Sequence, residues 1–313
     1  MRYEPYDALD GVPHVIVDGA ARSGTVLTLS HWPGSPTPPV LQADLSAEIA
    51  FRYLDHPQLA VPVEVVSNNH FDHDGLASVF VLVDPEAALA RRERVVDLAR
   101  AGDFARFEAR AAAQASFALA SLQREVEGDR YAALLPRLPE ILDHPERFRD
   151  RWEDEDAHLA ESEAAIASGA VQIDELPELD LAIVTVPEAW IERRVPRGSS
   201  SVATAVHPMA VHNATDRFRV LYRRGRRYEL ALRYETWVQY VSRRPRPRPD
   251  LRPLAKELSA REDNGTWVFE DDGGMTPRLR LEGAEESSIA PEPFVDAVVD
   301  ALCIAPAGWD PYD

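Results

Sequence analysis

Between Val61 and Val83 the chain runs VPVEVVSNNHFDHDGLASVFVLV. A β-branched apolar run gives way to His70, Asp72, His73 and Asp74, and Gly75 then leads into a second apolar run. The first run has the composition of a buried strand. The second is too apolar to assign by period, but its place after a strand and a glycine makes it a buried helix. A strand that turns directly into a buried helix belongs to a parallel sheet, so an α/β fold is expected.

The flanking pattern agrees. HVIVDG (His14 to Gly19) and TVLTLS (Thr25 to Ser30) have strand composition, and Leu45 to Leu54 is amphipathic at helical period. After residue 84 a helical stretch runs to Gly169. Asp84 caps its first helix with Pro85 at the first helical position, Gly102 stops that helix, Asp103 opens the next and Asp129 another. Asp180 to Pro187 returns to strand. From Arg217 the pattern alternates in period two around a turn at Gly225. RPRPRP (Arg244 to Pro249) fits neither a helix nor a central strand and is expected to run extended along the surface. Two domains follow: residues 1–190, a mainly parallel α/β domain with a helical insertion at about 84–169, and residues 199–313, a smaller α/β domain.

The chain has 313 residues and one cysteine, Cys303, which rules out an internal disulfide framework. Its N-terminus MRYEPYDALDG lacks the basic and apolar regions of a signal peptide. No apolar run approaches the roughly 18 residues of a membrane span. A soluble cytoplasmic protein, possible as a homodimer, is expected. The formal charge of −19 argues against a broad duplex nucleic-acid surface. Lys256 is the only lysine among 34 basic residues, a bias that reads as GC-rich bacterial coding.

His70, Asp72 and Asp74 alternate along an extended segment, so three ligands converge from one strand tip. Carboxylates and imidazoles in that setting suit a divalent metal, and α/β sheets bind ligands outside the carboxyl ends of their strands. Asp18 and His31 also stand just past apolar strand runs.

SNNHFDHDGLAS resembles the first motif of the DHH phosphoesterase superfamily, Ser-His-x-Asp-x-Asp-Gly-hydrophobic-x-Ser, at His70, Asp72, Asp74, Gly75, Leu76 and Ser78. The resemblance implies a two-metal enzyme, manganese-dependent with zinc or iron as alternatives, cleaving a small nucleotide, oligonucleotide or polyphosphate. It makes His70, Asp72 and Asp74 metal ligands, with Asp72 or Asp74 shared. YVSRRPRPRPDLRPLAKEL with the later DDGGMTP is similar to that superfamily's substrate-binding domain, which implies phosphate contact by Arg243 and Arg244. The histidine usual after the glycines is Met275 here. The namesake Asp-His-His is absent; Asp18 (ligand) and His31 (catalytic, with Asp72 and Asp74) would replace it if the motif order were rearranged.

Asn68-x-His70-x-Asp72-His73 also resembles the motif of metallo-β-lactamase-fold hydrolases, with asparagine at its first histidine. A relative that has lost turnover and kept a ligand pocket is the non-enzyme alternative. His207 and His212 read either as loop and capping histidines or as substrate neighbours. Arg197 to Ser201 reads as a loop or as a phosphate-binding helix start. The arginines from Arg217 to Arg248 read either as a phosphate-focusing patch or as a solvated basic face.

Overall fold

The computed structural model describes residues 1–188, 203 and 205–313; the Arg197–Ser201 stretch lies outside the described residues. The chain packs as two units. One comprises Met1–Asp156 with Val238–Arg244 and Tyr312, the other Ala157–Trp237 with Pro245–Pro311 and Asp313. The division lies between Asp156 and Ala157, upstream of the 190–199 expected from sequence.

The first unit holds strands β1 (Arg2–Tyr3), β2 (His14–Val17), β3 (Thr25–Leu29) and β4 (Val65–Ser67). They form a fully parallel sheet in the order β1-β4-β2-β3. The β-branched runs supply its buried centre: Val15, Ile16, Val17, Leu29, Val65 and Val66 are all at most 2% exposed. Parallel neighbours usually need a crossover of about a dozen residues. Here residues 18–24 alone connect β2 to β3, with Gly24 at φ +92° turning against the carbonyl of Val12.

Helices α1 (Ser46–Asp55), α2 (His73–Val83), α3 (Pro85–Leu89), α4 (Arg92–Asp103), α5 (Arg110–Leu122), α6 (Arg130–Leu134) and α7 (Leu138–Asp143) follow, then α8 (Arg149–Ala167), which begins in the first unit and ends in the second. α2 is buried along nearly its whole length and packs against α1 and α4. Asp84 and Asp129 cap α3 and α6 as the sequence indicates. Asp103 does not open a helix: it is the last residue of α4, and α5 begins only at Arg110. Gly102 is required for a different reason than termination. A Cβ there would lie 2.5 Å from the side chain of His73.

The second unit holds β5 (Gln172–Leu176), β6 (Leu181–Thr185), β7 (Arg219–Arg224), β8 (Arg227–Leu232), β9 (Arg248–Pro249), β10 (Thr266–Phe269), β11 (Arg278–Glu282) and β12 (Ala307–Trp309). Helices α9 (Pro208–Ala214), α10 (Arg252–Arg261) and α11 (Pro291–Ile304) complete it. Its mixed sheet runs β10-β11-β8-β7-β6-β5, while β9 and β12 pair separately. β6 therefore belongs to this sheet rather than returning to the first. The RPRPRP stretch is extended as expected, but Arg248 is buried, not on the surface. The two-domain α/β class is borne out. Among the described residues no helix is long and apolar enough to cross a membrane.

Candidate metal centre

Three adjacent strands, β4, β2 and β3, end side by side and each delivers polar residues at its carboxyl end. β2 delivers Asp18, whose φ of +45° is a left-handed conformation that Asp tolerates better than most residues. Gly19 follows because a Cβ there would lie 2.1 Å from the side-chain oxygen of Asn69. β3 delivers His31, one residue beyond Ser30. β4 delivers the loop with His70 and Asp72, and Asp72 accepts a hydrogen bond from the Gly75 amide (2.7 Å) as the cap of α2. Asp74 sits in that helix's first turn.

The side chains meet. His31 Nε2 lies 3.3 Å from Asp18 Oδ1 and 3.9 Å from Asp74 Oδ2. His70 Nε2 lies 2.6 Å from Asp72 Oδ2 and 3.5 Å from Asp18 Oδ2. Asp18, His70 and Asp72 form one group whose ligand atoms all lie within 4.8 Å of one another, and Asp18, His31 and Asp74 form a second. Asp18 is common to both because β2 is the middle strand of the three. The sequence resemblance implies Asp72 or Asp74 as the shared ligand; the residue common to the two groups is Asp18.

Supporting contacts fix each donor. His31 Nδ1 donates to the Asp44 carbonyl (2.7 Å), which turns Nε2 toward the carboxylates. Ser46 Oγ donates to Asp18 Oδ1 (2.9 Å), and the amides of Ser46 and Ala47, at the start of α1, donate to the two oxygens of Asp74 (both 2.7 Å). The positive end of α1 thus offsets part of the Asp74 charge. Tyr131 Oη donates to the His70 carbonyl (2.9 Å) and ties α6 to the β4 tip.

The electrostatics match a crowd of buried carboxylates. Burial and the charge of Asp18 push Asp74 up to about 8 and raise Asp72. Burial alone would raise Asp18 too, but the contact with His31, the charges of His31 and His70, and the Ser46 hydroxyl hold it below its ordinary value. Burial pulls both imidazoles down, yet the contact with Asp18 brings His31 up to about 9, and that with Asp72 does the same for His70. A cation entering the cluster would take the place of the protons that Asp74, His31 and His70 hold. Asp18 Oδ2 is buried and receives no hydrogen bond among the described residues, which leaves a lone pair directed into the cluster. Oxygen and nitrogen donors without thiolate suit Mn²⁺, Fe²⁺ or Zn²⁺, so the donor set fits a pair of divalent ions.

One participant was missed. Asp103, 4% exposed at its side chain, places Oδ2 3.7 Å from His31 Nε2. Its position after the expected helix stop made it look like a cap. His73, by contrast, turns away: its Nδ1 meets Ser116 Oγ at 3.1 Å, and burial pushes it down to about 4.

The remaining candidates divide between the units. Arg243 and Arg244 follow a segment stitched to the centre's own frame. Gln239 N donates to the His31 carbonyl (2.7 Å), and the amides of Val241 and Ser242 donate to Asp44 Oδ1 (2.7 and 2.8 Å). Arg244 stacks on Tyr312 at 4.1 Å. His207 and His212 belong to the second unit, on and before α9. The His207 ring accepts from Met209 N (3.1 Å) as a helix cap and packs 5.4 Å from His158.

A family model, DUF6687, described as a family of unknown function, matches residues 1–313. No curated protein and no solved structure matches the chain.

Proposed function

We propose that this chain, which belongs to the DUF6687 family, is a two-metal phosphoesterase of the DHH type. The observation that carries the reading is the pair of His/Asp groups joined through Asp18 at the tips of three parallel strands. Asp18, His70 and Asp72 would hold one divalent cation and Asp18, His31 and Asp74 the other, with manganese the best fit to the resemblance. Such ions supply Lewis-acid activation of water and neutralise charge on a phosphoryl group.

The chain's own residues do the rest. Asp44 fixes His31 through its carbonyl and fixes residues 241–242 through its carboxylate, so one residue links a ligand to the segment that leads to Arg243 and Arg244. Those arginines would grip a phosphate by the bidentate fork that lysine cannot copy. The substrate is a small nucleotide, oligonucleotide or polyphosphate.

The metallo-β-lactamase alternative requires His73 beside Asp72 as a ligand. The contact of His73 with Ser116 and its packing on Gly102 weigh against that role. The test is elemental analysis of protein reconstituted with Mn²⁺, followed by phosphate release from a phosphodiester. About two bound ions with turnover is the expected result. Bound ions without turnover would favour the ligand-binding relative, and no bound ion would remove the two-metal proposal.

A further inference from the structure

The loop from Asn68 to Phe71, between β4 and α2, faces a cleft as well as the centre. His70, Asp72 and Asp74 meet Asp18 and His31; Asn69 and Phe71 line a separate cleft of about 520 Å³. The cleft lies wholly within the first unit and reaches the centre at His70, which lines it as well. Its other walls include Tyr3, Tyr6 and Tyr131, with the charged side chains Asp7, Asp129 and Arg130 among them.

Four aromatic rings around one polar cleft are not explained by core packing alone. Tyr131 is buried and held by its bond to the His70 carbonyl, but Tyr3, Tyr6 and Phe71 are only half-buried. Tyr131 stacks on Tyr3 at 4.9 Å and meets Phe71 edge-on at 5.1 Å, so these three rings are fixed against one another. Cations already sit over two of them: Arg130 is 5.9 Å from the Phe71 ring and Arg22 is 4.7 Å from that of Tyr6. Asn68, also lining the cleft, is 3% exposed, and its Nδ2 has no hydrogen-bond partner among the described residues. An aromatic wall with two asparagines in its lining suits a flat, hydrogen-bonding ring better than a chain of bare phosphates.

We infer that this cleft is a binding subsite for a planar aromatic group attached to the phosphate that reacts beside His70. The inference rests on the phosphoesterase reading for the attached phosphate, but the cleft's preference for a ring does not. It separates ring-bearing phosphates from inorganic polyphosphate within the proposed substrates. The ring is either a nucleobase or a simple aryl group, and stacking is common to both.

The experiment is calorimetric titration of the full chain, with and without Mn²⁺, using adenosine, adenosine monophosphate, phenyl phosphate and inorganic phosphate. Adenosine should bind without metal, and ring-bearing phosphates should bind about tenfold or more tighter than inorganic phosphate. Phe71→Leu and, independently, Tyr6→Leu should remove that advantage while leaving the affinity for inorganic phosphate unchanged. Equal binding of adenosine monophosphate and phenyl phosphate would assign the subsite to any aryl group; tighter binding of the nucleotide would assign it to the base. If inorganic phosphate binds in the presence of Mn²⁺ as well as the ring-bearing ligands do, the subsite is overturned and the metal reading stands. If adenosine binds and Phe71→Leu abolishes it, while no phosphate responds to Mn²⁺, the subsite stands and the two-metal reading falls.

Discussion

Both units are dense in charge, and they handle it in opposite ways. In the second unit each buried arginine has acceptors of its own. Arg248 donates to the carbonyls of Asp272, Gly274 and Met275 and to Thr236. Arg233 pairs with the equally buried Glu235, Glu229 is met by Arg278, and Arg219 donates to the Leu179 carbonyl. In the first unit, Asp18, Asp74 and Asp103 crowd around His31, and burial with the charge of Asp18 pushes Asp74 up to about 8. Charges cancelled locally build a fold; like charges forced together mark a place built for a ligand. The arginines from Arg217 to Arg248 look like a phosphate funnel in sequence, and several of them serve instead as internal struts.

The largest expected effect tests the strut side of this contrast. Arg248→Ala leaves the buried Asp272 carbonyl and Thr236 hydroxyl without this donor, together with the more exposed carbonyls of Gly274 and Met275, and should cost about 3–5 kcal/mol in denaturant unfolding. A loss under about 1 kcal/mol would mean that those carbonyls reach water and that Arg248 is not a strut.

Asp74→Asn straddles the two categories. An amide can accept from only one of the Ser46 and Ala47 amides and turns its own N–H₂ on the other. A stability loss of about 1–3 kcal/mol should therefore accompany the loss of bound metal. Metal loss with unchanged stability would show that the start of α1 does not depend on this carboxylate.

These two cases also show what could be read in advance. His70, Asp72 and Asp74 were legible because their spacing, the preceding strand and Gly75 are all local. Asp18 and His31 were legible only as strand tips. Their meeting depends on the order β4-β2-β3, and the short parallel link through residues 18–24 has no sequence signal that a longer crossover would carry. Asp103 was illegible because an Asp after Gly102 has the same letters whether it caps a helix or ends one. The partners of Arg248 are carbonyls about 25 residues away in sequence, which periodicity cannot reveal.

Arg244→Lys probes the single arginine stretch assigned to substrate rather than to packing. It should weaken a phosphorylated substrate by about 1–3 kcal/mol with metal content unchanged. Unchanged affinity in both Arg243→Lys and Arg244→Lys would place this stretch with the struts.

The smallest effect lies in the helical layer. Asp143 is held below the usual carboxylate range by the hydrogen bond from Arg91, with Arg94 adding to it. Because its folded value lies below the unfolded one, the pairing stabilises the protein above the unfolded value and is lost as pH falls through the folded one. The groups are partly solvated, so Asp143→Asn should cost about 0.5 kcal/mol at neutral pH, with the gap closing as pH falls through the folded value. A gap that persists in acid would point to packing rather than charge.

The central claim is that Asp18 serves both halves of one centre, and metal stoichiometry of Asp18→Asn tests it most directly. Asparagine tolerates the left-handed backbone at this position and can still accept from Ser46. The variant should fold within about 1 kcal/mol of the parent. After reconstitution with Mn²⁺, the parent should hold about two ions, Asp72→Asn about one, and Asp18→Asn none. An Asp18→Asn protein that keeps the parent's full metal content would contradict the account.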